Sequence, residues 1–379
     1  MDQASGDLEL TLHRRIGEID AEQWDALAGG NPFVSHAFLS ALEDSVSVDG
    51  RTGWLPQYAA LRDGGGLIAA APAYAKGHSY GEYVFDHAWA HALERAGGRY
   101  YPKLQVASPF SPVPGPRLLA RDDAGRRALA DALVLASEEM GCSSVHATFC
   151  TDADWRVLGQ AGWLQRIGVQ YHWHNRDYAD FDGFLGALSS RKRKAIRRER
   201  REAAAGLEIR ALRGPEIGLR EWRAFHEFYL STIERKWGGA YLTEGFFPLL
   251  GDRLGERVVL MMAFRAGRPI AGALNLLGPD ALYGRNWGAV EDVPFLHFEL
   301  CYYQAIDFAI REGIARVEAG AQGQHKIQRG YLPVPTYSAH FIAHRGLRNA
   351  VEHFLDEERP AMVAEMEALG AESPYRADG

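Results

Sequence analysis

The sequence is short of the residues that build several common kinds of site. Cysteine occurs only three times in 379 residues, at Cys142, Cys150 and Cys301, and no two form a C-x-x-C pair. That excludes a zinc knuckle or a disulfide framework as the organising principle, and no metal site is expected. No run of about 18 apolar residues occurs, so no membrane insertion is expected. The opening MDQASGDLELTLHRRI lacks an apolar signal-peptide core, so a cytoplasmic, soluble chain is expected. Positive charge is not in excess either. The formal net charge is -7, which argues against an overall nucleic-acid binder while leaving room for a local basic patch. What is present is globular in kind: 47% hydrophobic and 24% charged residues, in a length that suits two domains with separate cores.

The order of elements suggests an internal duplication. The first half reads as a strand (LELTLHRRI), helices around Ala21–Ala28 and Ser35–Asp44, and a hairpin of QYAALRD and LIAAAPAYAKG across a glycine turn. A strand EYVF, a helix Ala88–Ala96 capped by Asp86, and a strand KLQVASPF follow. Then come a helix over Asp122–Met140, a strand SSVHATFC, a short helix and the strand WLQRIGVQYHW. The second half repeats the plan. A long helix over Phe181–Ala205 leads to LEIRAL, two helices (Pro215–Lys236 and Thr243–Leu254), and a meander of RVVLMMAFR, PIAGALNLLG and ALYGRNWG. The helix Phe295–Arg311, the strands ARVEAG and TYSAHFIA, and a C-terminal helix complete it. Both halves contain a strand, an Arg-x-Gly turn and a strand opening Ile-Ala-small-Ala, at Ala60–Ala71 and Ala263–Ala273. Each copy then reads β-α-α-β-β-β-α-β, an α/β (mixed α+β sheet) unit. The expected divisions are 1–165, 166–345, and a C-terminal helix and tail over 346–379.

Polar groups crowd one block, Tyr283 to His340. Burying charge between apolar runs is costly unless the charge is paired or used, so this block is the first candidate for an active site. The strand ARVE ends at Glu318. Gly320 and Gly323 then let backbone N–H groups approach a ligand, and His325, Lys326 and Arg329 follow. Lys326 suits an anionic group or a developing oxyanion, and Glu318 or His325 suits removal of a proton from an amine. The bland alternative is a salt bridge from Glu318 to Lys326 or Arg329. Upstream, Pro294 precedes a helix with His297 and Glu299 in its first turns, and both are candidate catalytic residues that act directly on the substrate; the bland alternative is capping, where an acid favours the helix dipole, with His297 packed under a neighbouring strand. Strand alternation puts Tyr283, Arg285 and Trp287 on one side, a stripe suited to a carboxylate or phosphate beside an apolar wall. Arg191, Lys194, Arg198 and Arg201 recur at helical spacing after Ser189 and Ser190, which can cap that helix. They form a basic stripe for a polyanion, or else a solvated face pairing with Glu199 and Glu202. His172 and His174 share a strand face without a third metal ligand nearby, and packing or hydrogen bonding is the expected role. Asp86, His87 and Trp89 are expected at most to wall a cleft.

Several segments resemble a bacterial family of N-acyltransferases with a tandem GNAT architecture, loosely labelled peptidoglycan biosynthesis/recognition proteins. These are SYGEYVFDHAWA, YYPKLQVASPFSPVPGPRLL, QYHWHN, LSSRKRKAIRRER, TIERKWGGAYLT, LYGRNWG, FLHFELCYYQAIDFAI and EAGAQGQHKIQRGYLP. They run from about Asn31 to about His340. The element order fits the GNAT fold too, a splayed mixed sheet that admits a thioester between two strands. The resemblance, with its distant likeness to Fem-type aminoacyl transferases, implies acyl transfer to the amine of a small molecule or a cell-wall precursor. It implies an acyl-coenzyme A thioester as donor, or an aminoacyl-tRNA, with a non-catalytic anion or glycan recognition module as the rival. The usual pyrophosphate loop of the superfamily is not cleanly present. The nearest positions are Arg121–Arg126 and Val293–Phe298.

Overall fold

The structure, a computed structural model, describes residues 8–234, 239–320 and 323–376. The expected helix end at Lys236, and Ala321 and Gln322 of the glycine-rich loop, lie outside the described residues. The chain forms two compact units: residues 1–168 with 335–363, and residues 169–334 with 364–379. Residues 335–345, which chain order would place in the second unit, therefore lie with the first.

The first unit contains β1 (Leu8–His13), β2 (Trp54–Pro56), β3 (Tyr58–Asp63), β4 (Gly66–Ala71), β5 (Ala73–Lys76), β6 (Lys103–Val106), β7 (Leu119–Ala120) and β8 (Ser144–Cys150). Its helices are α1 (Ala21–Ala28), α2 (His36–Asp44), α3 (His87–Arg95), α4 (Asp123–Glu139) and α5 (Asp152–Gln160). One sheet runs β1-β3-β4-β7. A second group runs β2-β5-β6-β8, with β6 parallel to β8, and Tyr337–Ile342 pairs antiparallel to β8. Side chains alternate across these strands. Leu104, Val106, Val145, Ala147 and Ala339 face a core with Leu129 and Leu133 of α4. The opposite face holds Tyr74, Lys76, Lys103, Gln105, His146, Thr148, Ser338 and His340, and it is buried as well. The segment EYVF is not a strand. Its Glu82 and the following Asp86 turn inward to Lys103, and Asp86 makes no side-chain bond to the start of α3.

The second unit holds β9 (Leu164–His174, from residue 169 on), α6 (Phe181–Ala187), α7 (Ser190–Ala203), β10 (Glu208–Arg213), α8 (Leu219–Glu234) and α9 (Phe246–Leu254). Next come β11 (Val258–Arg265), β12 (Arg268–Leu277), β13 (Ala281–Ala289), α10 (Leu296–Phe298), α11 (Gln304–Arg311) and β14 (Arg316–Glu318). The chain closes with β15 (Leu332–Ile342) and α12 (Arg345–Ala371). The strand order is β10-β11-β12-β13-β14-β9, antiparallel except for the parallel pair β13/β14. This is the expected mixed α/β order. Helix α11 packs Ile306, Phe308 and Ile310 against the sheet; burying each such side chain contributes roughly 1.5–3 kcal/mol. The single helix expected over Phe181–Ala205 is two. Leu188 takes an extended conformation, bridges to Tyr375 and ends α6 before α7 begins. Ser189 stands at the N-cap of α7 but makes no side-chain cap bond there, against expectation.

Candidate active site

The site begins where two strands part. β13 and β14 share only three parallel pairs, the last being Tyr283 with Glu318. There β14 ends, while β13 runs on to Ala289. Just past the last pair, β13 bulges. Gly284 faces Asn275, Asn286 faces Leu274, and Arg285 is the extra residue between them. A bulge reverses the alternation of side chains. Tyr283 therefore pairs with Leu276 and Trp287 with Ala273, three positions apart on β12, which puts the two aromatics on opposite faces. The expected Tyr283–Arg285–Trp287 stripe does not form. Glycine suits the bulge, because a side chain at 284 would crowd the Glu318 carbonyl at 3.3 Å. Beyond the split, α8 serves the strand: Thr232 donates to the Trp287 carbonyl at 2.8 Å and Ser231 to that of Ala289 at 3.0 Å.

Glu318 is 3% exposed. Arg316 donates to its Oε1 at 2.9 Å, while Oε2 has no hydrogen-bond partner among the described residues. His172 Nε2 lies 3.7 Å from that second oxygen. Burial raises the Glu318 carboxyl to about 7, against the opposing pull of the Arg316 guanidinium. Burial, aided by Arg316, His174 and Lys326, lowers His172 to about 3, so this imidazole is neutral. Arg316 also pairs with Asp280.

Gly320 and Gly323 both adopt positive φ, +77° and +114°, the left-handed side that glycine tolerates. A 3-10 turn over Gln324–Arg329 then carries the basic residues. Lys326 is buried and donates to the Gly320 carbonyl at 2.8 Å. Among the described residues no carboxylate pairs with it. Neither expected salt bridge to Glu318 forms: Arg329 binds Glu199 instead, at 3.0 and 3.1 Å. Burial lowers the Lys326 ammonium to about 8. His325 is bonded to the Tyr302 hydroxyl at 3.0 Å and is lowered by burial, then by Arg329 and Lys326. The His297 ring packs 5.1 Å from Trp287, 5.3 Å from Tyr302 and 6.4 Å from His325. Arg329 lies 3.5 Å over the Phe298 ring. Trp287, His297, Tyr302, His325 and Arg329 thus form one aromatic and basic wall.

The helix after the split is irregular. Phe295 has a positive φ of 62°, α10 is a single turn, and Glu299–Tyr303 forms a π-helical turn. Such turns occur often at functional sites. Glu299 does not act on a helix N-terminus as expected. Its buried carboxylate is held by Arg200 at 3.1 to 3.3 Å and by Gln304 at 2.7 Å, away from Glu318, His325 and Lys326. Glu199 binds Tyr303 and Arg329, so it does not neutralise the basic stripe. Arg191, Lys194, Arg198 and Arg201 are all exposed on α7, and only Arg198 has an acidic partner among the described residues, Glu202 at 3.6 Å. The segment that joins β13 to α10 carries Glu291 and Asp292, and Glu291 is paired with Arg265 at 2.9 Å and with Arg268.

Sequence reasoning expects packing or hydrogen bonding of His172, with no link to Glu318, and passes over Arg316 and Tyr302. The available signal was register: His172 pairs directly with Glu318 across β9 and β14. It also undervalued the first unit. There Lys103, wholly buried, donates to Glu82 at 2.6 Å, Asp86 at 2.5 Å and Ser79 at 2.7 Å. Burial raises the thiols of Cys150 and Cys301, which disfavours the reactive thiolate.

Comparison with known proteins bears on the fold and the family. Crystallised FemX, at 12% identity, covers 91% of this chain and 100% of its own with a TM-score of 0.54. L-PGS from Bacillus licheniformis, at 13% identity, covers 93% of this chain and 97% of its own, also at 0.54. The C-terminal domain of a putative lysylphosphatidylglycerol synthetase from Agrobacterium fabrum, at 10% identity, covers 90% and 96% with a TM-score of 0.55. These likenesses concern the fold. The comparison with curated proteins found no match. Residues 15–377 match the FemAB-like family, described as peptidoglycan biosynthesis/recognition. The chain belongs to that FemAB-like family.

Proposed function

We propose that the second unit transfers an acyl group to an amine, with Glu318 as general base. The observation that carries this reading is the buried Glu318 carboxylate at the split between β13 and β14, with one oxygen held by Arg316 and the other unpartnered among the described residues. An attacking amine must be neutral, and a carboxylate near 7 is poised to accept its proton at physiological pH. The amine nitrogen attacks the acyl carbonyl carbon and Glu318 takes the N–H proton. The bond from carbon to the thiol or alcohol leaving group then breaks, and that proton passes to the departing atom. Lys326, with spare donors on its ammonium, suits the oxyanion that forms on the way; loss of one such donor costs about 3 kcal/mol. No covalent enzyme intermediate is needed.

An acyl-coenzyme A thioester is the first donor to test, and the amine of a small molecule or cell-wall precursor is the acceptor class. A specific observation favours a second donor, aminoacyl-tRNA. The exposed cations of α7 suit a polyanion. Calorimetry separates the two. Binding of acetyl- and longer acyl-coenzyme A that weakens in Lys326→Ala supports the thioester. Binding of charged tRNA alone, weakened by reversing the α7 charges, supports the second donor. Turnover with neither donor, or full turnover in Glu318→Gln, overturns the catalytic reading.

A further inference from the structure

The two units correspond strand by strand. In the first, β4 pairs with β7 at Ala69/Ala120 and Ala70/Leu119; in the second, β12 pairs with β13 at Ala271/Ala289 and Gly272/Gly288. These strands carry the repeated Ile-Ala-small-Ala, at Ile68 and at Ile270, which fixes the correspondence. The strand β6 then matches the start of β13. It makes three parallel pairs with β8, from Leu104/Val145 to Val106/Ala147, as β13 does with β14 from Ala281/Arg316 to Tyr283/Glu318. Two positions past the last pair, Phe149 and Gly320 both turn to positive φ, 53° and 77°. Each unit therefore has a strand split at the same place. Ala147 stands where the second unit has Glu318, and Val145 where it has Arg316, so the first split lacks both the acid and its guanidinium. The route back to the neighbouring strand differs too. Tyr283 and Ala289 are six positions apart, whereas Val106 and Ala120 are fourteen apart.

The extra chain fills the first split. Residues 107–118 form no helix or strand, yet all but Pro114 and Pro116 are buried. Irregular segments ordinarily run over the surface, because their backbone polar groups need water. Here those groups meet the end of β8 instead. Gly115 donates its N–H to the Phe149 carbonyl at 3.0 Å. Arg117 is wholly buried; it donates from Nε to the Thr148 carbonyl at 2.9 Å and from a terminal nitrogen to the Val113 carbonyl at 2.7 Å. Its backbone N–H goes to Asp154 at 2.8 Å. The Thr148 and Phe149 carbonyls, just past the last pair with β6, are thus already taken by the chain itself. In the second unit the matching carbonyl, that of Gly320, takes the Lys326 side chain and no inserted backbone. Pro109, Pro112, Pro114 and Pro116 restrict the segment before it folds, which lowers the entropy lost on seating it. Gly115 is needed for closeness, since a side chain there would strike Asn31 Nδ2 at 2.4 Å. We infer that residues 107–118 are a built-in plug that closes the strand split of the first unit and leaves the chain a single acyl-transfer site, in the second. The closure stands on the first unit alone; the single site rests on the acylation reading above.

The test is hydrogen exchange on the full-length chain, which needs no donor. The amides of Gly115 and Arg117 should exchange on the order of 10³-fold or more slower than in an unfolded chain, in step with those of β8. Trypsin should cut the native chain at exposed arginines such as Arg51 well before it cuts after Arg117. Gly115→Val does not fit beside Asn31. It should speed exchange across residues 107–118, and cleavage after Arg117, about tenfold, as overpacking of a buried site does. Should that variant fold poorly, exchange in the wild type decides alone. Exchange at Gly115 and Arg117 as fast as in an unfolded chain would overturn the plug. So would saturation of the wild type with two molecules of acetyl-coenzyme A, or of charged tRNA, per chain. Full turnover in Glu318→Gln would remove the acylation reading and the single site with it, while slow exchange at Gly115 would still establish the closure.

Discussion

Lys103 in the first unit and Lys326 in the second are both buried, but they are held in opposite ways. In the first, Lys103 spends all three ammonium donors on Glu82, Asp86 and Ser79. In the second, Lys326 bonds a backbone carbonyl and has no carboxylate partner among the described residues. Burial alone would push both ammonium groups down. Lys103 is nevertheless raised, because two carboxylates outweigh burial, whereas Lys326 falls to about 8. A buried charge with every valence filled holds structure together, and one left partly unfilled is available for chemistry.

Substitutions sharpen that contrast. The largest effect is expected from Glu318→Gln, which should reduce amine acylation by about 10²–10⁴-fold while leaving thermal stability nearly unchanged. A transfer assay beside a melting curve checks both halves. Lys103→Met should do the reverse. It leaves Glu82 and Asp86 buried without their cation and should cost about 3–5 kcal/mol, read by denaturant unfolding, with little change in the chemistry of properly folded molecules. Lys326→Met should cost about 3 kcal/mol of transition-state stabilisation, seen as lower kcat/KM.

The pH profile distinguishes the two groups of the second unit. Glu318 acts as base only when ionised, so the rate should rise with pH through about 7. Lys326 helps only when protonated, so the rate should fall above about 8. A rate with no acid limb in wild type would remove Glu318 from its role. The smallest effect is expected from charge reversal on α7 at Arg191, Lys194 and Arg201. Stability should change little, while the salt dependence of charged-tRNA binding should flatten by about one unit of slope for each phosphate that the helix no longer neutralises.

Much of the second unit was legible. Its strands are long apolar runs, the turns between them carry glycine, and an acid at the end of ARVE stood out against its neighbours. The stripe on α7 was legible too, because helical spacing alone places Arg191, Lys194, Arg198 and Arg201 together. The bulge at Arg285 was not, since period-2 reasoning assumes an unbroken register. Nor were the partners of Glu299 and Glu199, which come from Arg200 and Arg329 on distant elements. The polar face of the first unit was hidden for a different reason. Strands such as KLQV and SVHATFC alternate as half-exposed strands do, and nothing local says that both faces are covered. Asp86 looked like a helix cap because Lys103, which draws it inward, is seventeen positions away.

The pairing of the last strands has a bearing on how the protein is made. Residues 172–174 follow the first unit in the chain but pair with β14 of the second, and residues 337–342 follow the second but pair with β8 of the first. On the ribosome, the first unit must wait for its final strand until nearly the whole chain has been synthesised, on the order of ten seconds or more after β8 emerges. Until then the edge of β8, with His146 and Thr148 on it, is open to pairing with other chains. A truncation after residue 168 would therefore release an unfinished sheet rather than an independent domain.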